Sequence, residues 1–117
     1  MFGLTRKNKL SPKDAVQGAQ DGSVTVIDIR EHGEVAASGK AAGALHIPMM
    51  RLRDMADPRH PDFNKTLSTD GRIALYCATG ARSFSAARMM RKLGYGDVHN
   101  IGGLAAWIRA GGGVEAL

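Results

Sequence analysis

Two short runs, VTVIDIR at residues 24–30 and RIALYC at 72–77, do most to limit how this chain can fold. Both are apolar and neither alternates, which is the pattern of a strand covered on both faces. Helical segments surround them. LSPKDAVQGAQDG offers Ser11 as N-cap, Pro12 at the first helical position and Asp14 in the first turn, a spacing similar to a capping box, with Gly22 as a stop. EHGEVAASGK is a short helical piece, ALHIP (44–48) a short strand ended by proline, and MMRLRDMADPRHPDF a modest helix broken up by Pro58 and Pro61. Residues 82–93 carry Phe84, Ala87, Met90 and Leu93 as the apolar side of an amphipathic helix. DVHNI (97–101) reads as a strand, and GLAAWIRAG as a last short helix closed by Gly111. Strand and helix alternate with short connections, so an α/β domain is expected, its mainly parallel sheet covered by helices on both faces. No repeat or linker divides the 117 residues, which suit one domain over 10–117 behind a tail at 1–9.

Charge and composition exclude several classes. The net charge of +5 would admit nucleic acid, but basic residues occur only in short groups such as Arg6-Lys7-Asn8-Lys9 and Arg91-Lys92. The aromatics are scattered rather than interleaved with charge, so nucleic acid is not expected as a partner. A mild positive potential suits small anionic substrates. Apolar runs last only a few residues against the roughly 20 of a membrane span, so no membrane association is expected. MFGLTRKNKLSPKD lacks the apolar stretch of a secretory signal. A single cysteine cannot form an intramolecular disulfide, and the expected location is cytoplasmic. His32 and His60 have no second ligand at metal spacing and read as surface residues. Neither a metal nor a cofactor is expected. The pairs Met49-Met50 and Met89-Met90 read as core or rim packing.

That single cysteine, Cys77, ends the second buried run, at the strand end where ligands sit in parallel α/β sheets. Ala78-Thr79-Gly80-Ala81 follows, and Arg82 opens a helix. Such a loop can aim several backbone N–H groups at one point and form a nest for an anion. Small residues allow close approach, and Gly80 can adopt a positive φ. The helix N-terminus and Arg82 add positive charge, so a thiol there ionises below the free value of about 8.5. A buried cysteine that merely ends a strand is the alternative, but it would need neither the glycine-containing loop nor the arginine.

Two reactions use a thiolate in such a cradle. Phosphoryl transfer by cysteine phosphatases uses a C-x5-R loop, whereas Cys77 and Arg82 are separated by four residues. The shorter loop has a smaller mouth, ill matched to three phosphoryl oxygens. Sulfur transfer needs only one anionic sulfur where the amides converge, and the spacing favours it.

From about Leu10 to Gly113 the sequence resembles the single-domain rhodanese-type sulfurtransferases. VIDIREHGEVAASGKAAGALHIP is similar to the family's first signature through Asp28, Arg30, Glu34, Gly43, Ala44, Ile47 and Pro48. YCATGARSFSAARMMRKLGY resembles the active-site loop and its helix, and VHNIGGLAAW the closing motif with Gly102, Gly103 and Trp107. The resemblance implies a mainly parallel five-stranded sheet flanked by helices on both faces. It implies Cys77 as nucleophile and persulfide carrier, with the amides of Ala78, Thr79, Gly80, Ala81 and Arg82 as the cradle. Asp28, Arg30 and Ser83 would support the loop, the first two also being readable as a scaffold ion pair. Arg82 would either shape the loop or contact the sulfonate of a donor. His46 and His99 are read as packing residues, and Gly102, Gly103 and Trp107 as turn and core. Several thiosulfate-preferring members carry a basic residue just after the cysteine, where this chain has Ala78. The implied partners are a small anionic, thiosulfate-like sulfur donor and a small-molecule or protein thiol (or cyanide) acceptor. Two other readings stay open: a protein-docking persulfide carrier with little small-molecule turnover, and a cysteine-dependent phosphatase or arsenate reductase.

Overall fold

Strands β1 (Val24–Asp28) and β4 (Arg72–Cys77) lie side by side in parallel, in register from Val24 opposite Arg72 to Asp28 opposite Tyr76. This computed structural model describes residues 9–117, so the expected tail lies, Lys9 apart, outside the described residues. β3 (Leu45–His46) flanks β1 and β5 (Val98–Gly103) flanks β4, giving a parallel sheet in the order β3-β1-β4-β5. Among the described residues the sheet has four strands rather than the expected five. The remaining extended pieces, β2 (Lys40–Ala41) and β6 (Val114–Glu115), form their own antiparallel ladder, tied by a Lys40–Glu115 ion pair. Each is two residues long and they pair only with each other, so neither extends the main sheet.

Helices α3 (Met49–Ala56) and α4 (Ala81–Lys92) cover one face, burying Ile27, Ile29, Leu52, Ile73, Leu75, Ala86 and Met90. Helices α1 (Pro12–Asp21) and α5 (Leu104–Arg109) cover the other, over Val24, Val26, Ala74, Tyr76 and Trp107. β1 and β4 thus send alternate side chains into two cores, which is why their sequences do not alternate apolar with polar residues. Each large side chain so buried contributes about 1.5–3 kcal/mol. Trp107 is buried, as read from the sequence, and donates its indole N–H to the Gly113 carbonyl at 2.7 Å.

The N-terminus of α1 is built as its sequence predicts. Ser11 Oγ accepts from the Asp14 amide at 3.1 Å, and the Asp14 carboxylate accepts from the Ser11 amide at 3.3 Å. Gly22 closes the helix at φ 83°. Two apolar side chains break the expected pattern. Phe84 is 59% exposed, because the buried stripe of α4 runs through Ser83, Ala86, Ala87 and Met90 and turns position 84 outward. Met50 is 85% exposed at the start of α3, whereas Met90 is core and Met49 and Met89 pack at its margin. Among the described residues, no helix is long and apolar enough to cross a membrane.

Candidate active site

The chain leaves β4 at Cys77 and enters α4 at Ala81, and the short loop between them wraps the thiol. Gly80 sits at φ 104°, a left-handed conformation that favours glycine. In that conformation its N–H donates to Cys77 Sγ at 3.0 Å. The Ser83 hydroxyl, from the first turn of α4, lies 3.4 Å from the same sulfur. Burial pushes the thiol up, but the Ser83 hydroxyl and the amides of Ser83, Gly80 and Thr79 outweigh it and hold the thiol at about 7. The amides that stabilise Sγ are therefore those of Thr79 and Gly80, within the expected set of Ala78 through Arg82, with Ser83 added. Ala78, Thr79 and Ala81 ring the buried Cys77 as exposed residues. The arrangement suits a thiolate nucleophile at neutral pH.

Gly103 explains how the loop can start where it does. A Cβ there would come within 2.2 Å of the Ala78 carbonyl oxygen, so β5 passes against the loop with no side chain between them. The Gly102-Gly103 pair ends β5 instead of forming the expected turn, Gly102 at φ 95° and Gly103 packed closely on the loop.

Arg82, the second residue of α4, turns toward α2 (His32–Ser38). Its two terminal nitrogens donate to the two carboxylate oxygens of Glu34 at 2.7 and 2.9 Å. This fork-to-fork pairing fixes the guanidinium in one plane. The hydrogen bond from Arg82, aided by the Glu31 amide, holds the Glu34 carboxyl down at about 2. The guanidinium also lies close enough to Cys77 for the two charges to favour each other. Glu34 belongs to the first quoted motif, but its partner could not be read there.

Asp28 and Arg30 form a buried ion pair rather than a direct wall of the loop. Arg30 Nη2 donates to Asp28 Oδ2 at 2.8 Å and to the Gly39 carbonyl at 2.7 Å, and Nη1 donates to Ser38 Oγ at 2.9 Å. Tyr76, the residue before Cys77, donates its hydroxyl to Asp28 at 2.6 Å and accepts from the Ala41 amide at 2.8 Å. The pair is linked to the loop through Tyr76 and through α2, which carries Glu34.

Asn100 is the residue that sequence reasoning missed. From β5, its side-chain NH2 donates to the Gly80 carbonyl at 2.9 Å, and its oxygen accepts from the Gly102 amide at 2.9 Å and the Ser83 hydroxyl at 2.6 Å. One amide thus clamps the loop, the end of β5 and the hydroxyl beside the thiol. The available signal was a polar side chain inside a short strand that abuts the reactive one.

The histidines stand apart from the thiol. His46 bonds the Arg30 carbonyl at 2.8 Å, and His99 bridges the Leu10 amide and Asp97. His32 is exposed, its ring tilted toward that of His46, while His60 is half-buried beside Asp54. No cluster of three or more potential metal ligands occurs among the described residues.

Residues 11–110 match the family described as the rhodanese-like domain. A sulfurtransferase from Allochromatium vinosum is 35% identical over 89 residues, covering 75% of each chain. The fold is similar to a human single-domain sulfurtransferase (TM-score 0.74, 25% identity, covering 89% of this chain and 97% of that one). It is also similar to a Rhodopseudomonas palustris protein described as a possible tyrosine phosphatase (TM-score 0.79, 28% identity, 98% of both chains).

Proposed function

The chain belongs to the rhodanese-like domain family of sulfurtransferases, and on that premise we propose that Cys77 carries a sulfane sulfur as a persulfide. A small anionic donor such as thiosulfate supplies it, and a thiol or cyanide removes it. Cys77 thiolate attacks the outer sulfur, the donor S–S bond breaks with its electron pair on sulfite, and Cys77 keeps the sulfur. An acceptor thiolate then attacks that outer sulfur and Cys77 thiolate leaves. Sulfur moves as a group, so no external oxidant or reductant is needed.

The observation that carries this reading is the Gly80 amide directed at Sγ from 3.0 Å, with the Thr79 and Ser83 amides also favouring the thiolate, around a thiol held at about 7. Residues 10–117 work as one domain in this scheme. A reducing compartment, the cytoplasm, suits a lone cysteine with no resolving partner in the chain. Wild type is expected to turn over thiosulfate and cyanide, and Cys77→Ser is expected to lose that activity. Retention of activity in Cys77→Ser would refute the persulfide scheme.

One observation favours a variant of this reading, a carrier loaded by another protein. The loop's only cation is bonded twice to Glu34 and Ala78 adds none, so the loop itself offers little free charge to a sulfonate. Arg82 then shapes the loop, and Arg82→Lys should lower thiol reactivity more than it raises the KM for thiosulfate. A large rise in KM alone would instead assign Arg82 to the donor.

A further inference from the structure

The described cations divide into two groups, with Lys40 in the paired one and Lys9, Lys13 and Lys65 among the unpaired. Arg30, Arg51, Arg59, Arg72 and Arg82 each lie in an ion pair with a carboxylate. Arg53, Arg88, Arg91 and Lys92 have no carboxylate within ion-pair distance among the described residues, and all four are exposed. Of the other described arginines only Arg109, on the opposite face of the sheet, shares that lack.

The unneutralised group on this face follows α4 toward its C-terminal end, with Arg53 of α3 alongside. α4 contains no acidic residue, and Phe84, Arg88 and Arg91 fall on one ridge of it at helical spacing. Arg53 of α3 meets Arg88 and Lys92 around a hollow of about 250 Å³. On the other flank Phe84 and Arg91 border a second hollow of about 380 Å³. Arg91 is held in place by a 2.9 Å bond to the Val98 carbonyl. The ridge begins at Phe84, in the first turn of the helix that carries Arg82 and Ser83. An exposed aromatic among cations is the composition of an interface anchor. The hollows are of side-chain size and the single aromatic is not interleaved with charge, which favours a folded protein over a nucleic-acid strand.

We propose that the solvent face of α4, with Arg53 beside it, docks an acidic protein surface that presents the acceptor cysteine to the Cys77 persulfide. The proposal rests on the sulfur-transfer reading above and names its partner class. In the step it serves, the partner's thiolate forms a bond to the outer sulfur as the Cys77 S–S bond breaks, and Cys77 thiolate is regenerated.

The test compares two synthetic peptides, one with aspartates and glutamates around a single cysteine, the other with asparagines and glutamines. Persulfidated wild type is expected to pass sulfur to the acidic peptide about tenfold faster at low salt, with most of the advantage gone at high salt. Arg88→Glu combined with Lys92→Glu should remove the advantage. Lys13→Glu combined with Arg109→Glu, the same change in net charge on the opposite face, should keep it. All three proteins should react alike with mercaptoethanol, which separates docking from chemistry and from misfolding. An absent advantage in wild type, or equal loss in both double variants, would overturn the proposal. So would unfractionated tRNA binding the α4 face where the acidic peptide does not. Serine versions of the peptides, followed by fluorescence anisotropy, report docking without any sulfur chemistry. If Cys77 never acquires sulfur, the proposed function fails while that binding result still judges the surface.

Discussion

The cluster around Asp28 and the loop around Cys77 meet at consecutive residues of β4, Tyr76 and Cys77, and use their polar groups in opposite ways. In the cluster, donors and acceptors cancel: the Asp28 carboxylate takes bonds from Arg30 and Tyr76, and Arg30 spends its remaining N–H groups on Ser38 and Gly39. At Cys77 the donors are in excess and aim at one sulfur. Saturated polar groups hold strands and turns together, whereas a surplus of donors around one atom changes that atom's chemistry. The ion pair therefore reads as scaffold and the thiol as the reactive centre, although both were conspicuous in the sequence.

The contrast is broken most forcefully from the scaffold side. Arg30→Ala leaves a buried carboxylate unpaired and should cost about 3–5 kcal/mol of unfolding free energy in a denaturant titration. The fraction that remains folded should keep its thiol reactivity. If Arg30→Ala left stability intact and abolished reactivity, the division would be wrong.

The second test is on the thiol. Its alkylation rate should rise with pH to a plateau with a midpoint near 7, and Ser83→Ala should move that midpoint toward the free-thiol value of about 8.5. The linkage has a definite sign. A thiol lowered on folding contributes stability that is fully present above its unfolded pKa and is lost as pH falls through about 7. A midpoint unchanged in Ser83→Ala would remove the hydroxyl from the account.

Gly80→Ala is a smaller perturbation. The Cβ has room, its nearest neighbour being Gly102 Cα at 3.4 Å, so the cost comes from φ 104°, about 1–3 kcal/mol. Thiol reactivity should fall with it, because the amide that bonds Sγ must turn. The smallest effect is expected for Glu34→Gln. Its pair with Arg82 is about one-third exposed, so stability should drop by less than about 1 kcal/mol. Releasing the guanidinium should lower the KM for thiosulfate a few-fold. The Glu34 contribution is present above the usual carboxylate range and is lost as pH falls through about 2.

What the sequence revealed follows from how local each signal is. The α1 cap lies within four consecutive residues, and the double burial of β1 and β4 is written in their own composition. Cys77, Gly80 and Ser83 form a contiguous loop, so their convergence was also legible. Phe84 was misplaced because Ser83, a polar residue, occupies the buried stripe of α4 and shifts the apparent apolar face. Glu34 and Asn100 were not recognised for the loop because each meets it from another element, 48 residues from Arg82 and 20 from Gly80. The β2–β6 ladder joins two dipeptides from distant parts of the chain, too short to carry any period.

The central claim is that Cys77 carries the sulfur, and the most direct measurement is the intact mass before and after incubation with thiosulfate, with the shift mapped to a peptide. The account predicts a gain of one sulfur atom on the peptide containing Cys77, reversed by cyanide or a thiol and absent in Cys77→Ser. An unchanged mass under conditions where the thiol is alkylated freely, or a gain that survives Cys77→Ser, would contradict it.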